Sequence, residues 1–160
     1  MAGAPCAYLC NKILLKICGG KGIDGAIFNT FFTMPSTDDD AFAKTLEFEA
    51  LESRFGYARA RAVARPEFLN GLGIAHGGFL FSLADFALAL AANTDERSAV
   101  SASSSINYIA PCPAGSEVTA EARAVFADQK TALFDVRIFG DSPDEPYAVF
   151  QARAVFKRAR

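Results

Sequence analysis

One segment limits the possible folds of this chain more than any other, the apolar stretch from Gly78 to Ala92. Its only polar side chains are Ser82 and Asp85. A helix that is apolar on nearly every face belongs in a protein core, so we expect a β-sheet to wrap around it. No apolar stretch of the chain approaches the roughly 20 residues needed to cross a bilayer, and we expect no membrane segment.

Alternating apolar and polar residues, typical of β-strands, flank the helix on both sides. Before it, "YARARAVA" (57–64) alternates arginine with alanine, and a preceding strand is expected near residues 47–53. After it, "INYI", "EVTAEARAVFA", "TALFDVRIFG" and "YAVFQARAVF" are strand-like, with turns at residues 128–130 and at "DSPDEP". One or two strands, a long helix and then about four antiparallel strands predict an α+β fold.

The N-terminal segment differs from the rest of the chain. In "CAYLCNKILLKICGGKG" the apolar residues are spaced as on one helix face, while Lys12 and Lys16 interrupt any secretory signal. We therefore predict that residues 1–34 form an amphipathic or disordered leader and that residues 35–160 form one folded domain. The domain is expected to begin with a short helix in "PSTDDDAFAKTL", which Ser36 or Thr37 can cap.

Composition excludes several classes of function. The formal net charge is −2 with no long stripe of lysine and arginine, so no nucleic-acid partner is expected. The chain has one histidine and four cysteines without a C-x-x-C pair, which argues against a zinc site, and we expect neither metal nor cofactor. The cysteines are interpreted as reduced thiols of a cytoplasmic protein.

Asp85 is the residue that most needs an explanation. An isolated buried carboxylate costs several kcal/mol unless it is paired, hydrogen-bonded or protonated. One interpretation is structural: the carboxylate bonds backbone amides or a hydroxyl and fixes the core. The other is functional: the carboxylate lies beside a reaction centre as a general base or a nucleophile. Residue types alone leave both interpretations open.

The sequence before the helix favours the functional interpretation. "NGLGIAHGG" puts glycines where backbone amides must approach a ligand closely, and free amides at a helix start stabilise developing negative charge. Gly77 and Asp85 are eight residues apart, so about 12 Å separates them along one helix. Both groups could act on one atom only if two helices run antiparallel about a two-fold axis. A catalytic role for both therefore predicts a dimer.

The same segment resembles the PaaI-type branch of the hotdog-fold acyl-CoA thioesterases. The family motif, N-x-x-G-x-x-H-G-G followed by a helix bearing L-A-D, matches "NGLGIAHGGFLFSLAD". The strands after the helix, with their Pro-x-x-x-Gly turn, are also similar, and the resemblance covers about residue 40 to the C-terminus. It implies a hotdog fold, in which a curved antiparallel sheet of about five to six strands wraps a long central helix. It also implies homodimers, often assembled into homotetramers, with the site at the dimer interface.

The resemblance also implies a role for each motif residue in the hydrolysis of an acyl-CoA thioester. Gly77 gives the oxyanion amide, Asn70 helps to bind or polarise the thioester, and His76 supports the turn. Asp85 of the facing subunit activates water or attacks the carbonyl, and Ser101 orients the water or the carboxylate. The adjacent Gly78 is expected to contact substrate.

Several alternatives remain beside that interpretation. His76 can be a structural or capping residue, and Asn70 can simply form an Asx-turn. Phenylalanines of the helix can line an acyl or aryl pocket, and we name Phe79, Phe81 and Phe86. Many relatives carry histidine where this chain has Phe68, and the serines at 103–105 are more polar than the family pattern. A non-catalytic module that binds or senses acyl-CoA is the alternative function.

Overall fold

The structure is a computed structural model that describes residues 40–93 and 97–157. The predicted leader, residues 1–34, lies outside these described residues, as do the predicted helix caps Ser36 and Thr37. The division of the chain at residue 34 therefore stays a prediction. No described helix combines the length and the apolarity that a bilayer span requires.

Two α-helices, a short 3-10 helix (Pro66–Phe68) and six strands make up the described structure, and all neighbouring strands are antiparallel. In chain order the α-helices and strands are α1 (Ala41–Thr45), β1 (Glu49–Arg54), β2 (Tyr57–Val63), α2 (Gly77–Ala92), β3 (Ala99–Tyr108), β4 (Glu117–Ala127), β5 (Thr131–Phe139) and β6 (Pro146–Phe156). The strands form one sheet in the order β1-β2-β4-β5-β6-β3. This is the predicted hotdog architecture, with two strands before the long helix and four after it.

The N-cap of the short helix α1 is Asp40, which lies closer to the helix than the expected caps Ser36 and Thr37. The Asp40 carboxylate accepts hydrogen bonds from the amides of Phe42 (3.0 Å) and Ala43 (2.9 Å), so it bonds two free amides of the first turn. The first turn of α1 contains no acidic residue, because Asp40 precedes the helix as its cap.

Helix α2 is buried because the sheet faces it with small side chains. Leu83, Ala84 and Ala87 have no exposed surface, as expected for a core helix. The inward residues of the two neighbouring strands β2 and β4 are mostly alanines, all at most 3% exposed: Ala58, Ala60, Ala62, Ala120 and Ala122. Alanine in these strands lets the helix approach closely, while arginines and glutamates of the same strands point to the other face of the sheet.

The serine-rich segment differs from what the sequence pattern indicated. Only "INYI" looked like a strand, yet β3 is continuous over ten residues and includes all of "SASSS". It pairs with β6 on one side, with a bulge between Ser101 and Ser103, and forms an edge of the sheet. Most of its residues are exposed, so serine is tolerated there without a cost in buried polar groups.

Candidate active site

The loop before α2 is held in a compact form by Asn70. Its side-chain oxygen accepts the amide of Leu72 (2.8 Å), and its carbonyl accepts the amide of Gly73 (3.0 Å). Gly73 has φ = +74°, a conformation that favours glycine. The Asx-turn that was one of the two alternatives for Asn70 is thus present, and the side-chain NH₂ of Asn70 donates to no acceptor within residues 40–93 and 97–157.

His76 is the N-cap of α2. Its Nδ1 accepts the amide of Gly78 (2.9 Å), which requires the neutral ring with its proton on Nε2. The amide of Gly78, predicted to contact substrate, is therefore occupied. The amide of Gly77 donates no hydrogen bond to any part of the chain that the structure describes. Of the first two amides of the helix, only that of Gly77 is available to a ligand.

Tyr108 completes this helix start, and sequence reasoning missed it. Its hydroxyl donates to the carbonyl of Gly77 (2.9 Å) from the end of β3. A Cβ atom added to Gly77 would lie 2.8 Å from the Tyr108 hydroxyl oxygen, so the ring fits only against glycine. Partial burial raises the pKa of the Tyr108 hydroxyl above its ordinary value of about 10, and the hydroxyl is a protonated donor at neutral pH in either case.

Asp85 lies in the middle of α2, half-buried rather than enclosed as the apolar sequence suggested. Ser101 donates its hydroxyl to one carboxylate oxygen at 2.9 Å, so the predicted partnership of these two residues is present. Ser82, one turn earlier, donates to the carbonyl of Gly78 (2.8 Å), as expected of a serine that bonds its own helix. The remaining acceptor sites of the carboxylate are open to a water or a substrate.

A cavity of about 290 Å³ opens beside Asp85. Its lining is mostly apolar and consists of Asp40, Phe42, Ala43, Phe48, Phe81, Ser82, Asp85, Phe86 and Ala89. Phe81 and Phe86 were predicted to line a pocket and do so here. Phe79 instead packs in the core, stacked on Phe68 with ring centroids 5.1 Å apart. That contact also gives Phe68 a packing role.

The two groups that the sequence singled out for chemistry lie at separate points of one helix. The available amide of Gly77 and the carboxylate of Asp85 are eight residues apart on the uninterrupted helix α2, which corresponds to about 12 Å. Reacting groups must come within about 3 Å of a shared atom. Within one chain, these two groups cannot act on the same carbonyl.

The comparisons with known proteins agree on one family, the thioesterases. A model of the thioesterase superfamily matches residues 72–147. The acyl-coenzyme A thioesterase PaaI of Escherichia coli is 32% identical over 117 residues, which are 73% of this chain and 83% of that protein. A relative from Archaeoglobus fulgidus is 38% identical over 96 residues, which are 60% of this chain and 62% of that protein. The latter match spans less than two thirds of that relative.

Solved structures share the fold. A mutant of the phenylacetic acid degradation protein PaaI from Thermus thermophilus superposes with a TM-score of 0.67 and 34% identity, covering 71% of this chain and 96% of that one. A Streptococcus mutans protein bound to acetyl CoA superposes with a TM-score of 0.65 and 25% identity, covering 71% of this chain and 90% of that one.

Proposed function

Since this chain belongs to the PaaI-type hotdog thioesterases, a family of thioester hydrolases, we propose that it hydrolyses acyl-CoA to a free acid and coenzyme A. The observation that carries the proposal is the carboxylate of Asp85. Among the described residues it accepts one hydrogen bond, from Ser101, and it opens onto an apolar cavity. A carboxylate so arranged has acceptor sites left for a water next to a bound acyl group.

In the proposed reaction, Asp85 of one subunit and Gly77 of the other act on the same thioester. Water adds to the carbonyl carbon while Asp85 takes its proton, and the oxyanion accepts hydrogen bonds from the Gly77 amide and the Asn70 side-chain NH₂. Collapse of this intermediate breaks the C–S bond, and the leaving thiolate takes the proton back from Asp85. Alternatively the carboxylate itself attacks the carbonyl carbon, the C–S bond breaks to release the thiolate, and water then hydrolyses the resulting anhydride and gives the thiolate its proton.

The two roles of Asp85 leave different isotopic marks. After a single turnover in H₂¹⁸O, a general base retains its own two oxygens and the product acid carries the label. An anhydride opened by water at the Asp85 carbonyl places ¹⁸O in the enzyme. Mass spectrometry of the peptide that contains Asp85 therefore identifies the nucleophilic role if the label is found there.

The edge strand β3 supports a dimer that brings the two halves of the proposed site together. Ser101 and Tyr108 both point toward α2, and residues directly opposite each other in an antiparallel pair share a face. Because of the bulge, Ala102 has no partner in the strand pairing. Ser101 and Ser103 therefore occupy successive pairing positions along β3. If the two-fold axis passes through Ser105, then Ser101 lies opposite Tyr108 of the facing subunit. Asp85 then lies near the facing Gly77.

This pairing can be tested by cross-linking. Opposed residues on the axis have Cα atoms about 4.5–5.5 Å apart, within the range of a disulfide. We expect Ser105→Cys to form a disulfide between two chains on oxidation, whereas Leu51→Cys on the opposite sheet edge does not. A cross-link formed by Ser103→Cys alone would contradict the proposed axis.

Further assembly to a tetramer needs a second surface. The outer face of the sheet exposes three apolar residues that can form one, Val125, Phe126 and Leu133. Light scattering at micromolar concentration gives the oligomeric state. A monomer would contradict the proposed site, because each half is then without its partner.

The hydrolytic activity is tested with a panel of acyl-CoAs that includes aryl-acyl members, following thiol release. We expect turnover by the wild type and a fall of about 100-fold or more in Asp85→Asn, as for loss of a general base. Asp135→Asn is the matched control, because its carboxylate also accepts one side-chain bond of 2.9 Å, from Gln151. The mechanism is wrong if no thioester turns over or if Asp85→Asn is unimpaired. Tight binding without turnover would indicate the sensing module instead.

The aromatic lining of the cavity bears on the acyl group. Phe48, Phe81 and Phe86 give an apolar surface beside Asp85, and the cavity that they border within one chain measures about 290 Å³. A compact apolar or aryl acyl group fits this surface. Turnover that rises with chain length across the panel would contradict it.

A further inference from the structure

We propose that Tyr108 is a positioning residue of the oxyanion site, holding the Gly77 amide in a fixed direction. The inference rests on the proposed function, because it concerns the amide that would bind the thioester oxygen. Tyr108 itself does not reach the reacting atoms in this scheme. It acts through its hydrogen bond to the carbonyl of Gly77.

The direction of the Gly77 amide depends on the two peptide planes that flank this residue. The plane that follows Gly77 contains the Gly77 carbonyl and the Gly78 N–H. The carbonyl accepts a hydrogen bond from the Tyr108 hydroxyl, and the N–H donates one to the ring of His76. The preceding plane, which carries the Gly77 N–H, is held through the carbonyl of His76, which accepts from Phe79 (3.0 Å) and Leu80 (3.3 Å). Peptide groups are rigid planes, so fixing both leaves the N–H little freedom.

Without Tyr108, the plane between Gly77 and Gly78 would keep the bond from the Gly78 amide to His76 and the intrahelical bond that the Gly77 carbonyl accepts from Phe81, but it would lose its bond to β3. Two successive glycines have broader conformational freedom than any other pair of residues. They lie in the first turn, where no intrahelical acceptor holds the amides. The Tyr108 hydroxyl is therefore the contact that ties this flexible turn to the sheet.

Packing alone does not explain the tyrosine. Within one chain Tyr108 is 53% exposed, so the ring gains little from burial against its own subunit. Phenylalanine would fill the same space but could not donate to Gly77. The close fit of the ring against Gly77 and the hydroxyl bond thus indicate that the position favours a donor.

One strand also links the two halves of the site. Ser101 near the start of β3 donates to Asp85, and Tyr108 at its end donates to Gly77. Both bonds connect β3 to α2 within the same chain. Because β3 also carries the proposed dimer contact, Tyr108 keeps the amide in register with the facing subunit.

The first test is Tyr108→Phe, which removes only the hydroxyl. Tyr57→Phe is the matched control, since the Tyr57 hydroxyl also donates one bond, to Glu121 at 3.1 Å, on the outer face of the sheet. With the acyl-CoA that the wild type turns over fastest, we expect kcat to fall about 10-fold in Tyr108→Phe and KM to stay within about two-fold. This is less than the ~10²-fold loss typical of a deleted oxyanion donor. The control should match the wild type.

A second measurement does not depend on activity. In ¹⁵N relaxation, the Gly77 amide of the wild type should have an order parameter near 0.85, the value of rigid backbone. We expect a lower value in Tyr108→Phe and no change in Tyr57→Phe. An unchanged order parameter in Tyr108→Phe would overturn the inference, whatever the activity.

The two proposals fail in different ways. If Asp85→Asn is inactive while Tyr108→Phe has the kcat of the wild type, the positioning role is wrong and the proposed function stands. If Asp85→Asn is unimpaired, the proposed mechanism fails first. A change in KM alone would also overturn the positioning role, because orientation of the oxyanion amide acts on the transition state.

Discussion

The two edges of the sheet are built in opposite ways. At one edge, β1 has six residues, three of them charged, and a bulge between Ala50 and Glu52. Glu49 pairs with Arg61 of the neighbouring strand at 2.7 Å, and Glu52 pairs with Arg54. At the other edge, β3 has ten residues and no charged side chain. The sheet thus has one short charged edge and one long uncharged edge.

The difference has a physical reason. An exposed edge strand offers unpaired backbone groups to other chains, and proteins block this with charges, bulges and short strands. Edge β1 has all three devices. Edge β3 has a bulge, but its small hydroxyl side chains would let another strand approach. This contrast supports the proposal that β3 pairs with the same strand of a second subunit. The small serines at 103–105 would then allow the close approach of the two strands.

The largest predicted effect comes from adding a charge to the open edge. Ser105→Glu would place two carboxylates opposite each other at the proposed axis, and like charges across an interface cost several kcal/mol. We expect the dimer Kd to rise about 100-fold or more, with activity lost at dilution. Sedimentation measures the Kd.

Leu51→Glu adds the same charge at the other edge and should leave the dimer unchanged. Leu51 is 38% exposed, so the added carboxylate can reach solvent. A dimer that tolerates Ser105→Glu, or one broken equally by Leu51→Glu, would contradict the assignment of β3 as the pairing edge.

A smaller effect is expected where β3 meets the start of α2. In Gly77→Ala the new methyl carbon would lie 2.8 Å from the Tyr108 hydroxyl oxygen, so ring and helix start must separate. We expect kcat to fall up to about 100-fold, as for a lost oxyanion donor. Gly140→Ala is the control, since its methyl carbon would lie 2.7 Å from the Tyr147 hydroxyl. It should affect melting temperature similarly and kcat much less. Equal losses of kcat would point to a general packing effect.

A serine of each edge strand donates a hydrogen bond to α2, so the two serines can be compared directly. Ser101 donates to the Asp85 carboxylate and Ser53 of β1 donates to the carbonyl of Leu90, both at 2.9 Å. We expect Ser101→Ala to lower kcat about 10-fold with little change in stability. Ser53→Ala should cost about 1 kcal/mol of unfolding free energy and leave kcat unchanged. Urea unfolding and thiol release together separate the two effects, and a reversed pattern would contradict this division between the edges.

Much of the fold could be predicted because the signals are local. The apolar run of α2 has only Ser82 and Asp85 as polar residues, and the alternation in β2 separates arginines from alanines. The turn at Asp128 was also predicted, and the carboxylate there accepts the amides of Lys130 and Thr131. Periodicity and turn chemistry depend on neighbouring residues, so one sequence suffices for them.

Other features could not be predicted because they depend on residues far away in the chain. Tyr108 meets Gly77 across 31 positions, and nothing in "INYI" indicates that contact. The strand β3 was not recognised over its serines, because serine has no strong preference for strands. An edge strand also needs no strict alternation of apolar and polar residues. Phe42 of α1 lines the cavity beside Asp85 only through tertiary packing. The motif named the residues of the candidate site, whereas the contacts that support these residues required the structure.

The smallest predicted effect concerns the turn next to the start of β3. Arg97, just before β3, donates to the backbone carbonyl of Asp128 at 2.9 Å. The backbone amides of Thr131 and Lys130 hold the pKa of the Asp128 carboxyl below its usual range. A carboxyl whose pKa is lowered by folding stabilises the protein above the unfolded pKa, and this contribution is lost as the pH falls through the folded pKa.

We therefore expect the wild type to melt higher than Asp128→Asn at neutral pH, with a difference that shrinks as the solution is acidified below about pH 4. Asparagine keeps the acceptor oxygen but does not titrate, so the comparison isolates the charge. Asp144→Asn, in the next turn, is the control, because its side chain accepts no hydrogen bond among the described residues. The dimer should persist in both variants, since neither position lies on β3. A difference in melting temperature that grows on acidification would contradict the prediction that the charged Asp128 carboxylate stabilises this turn.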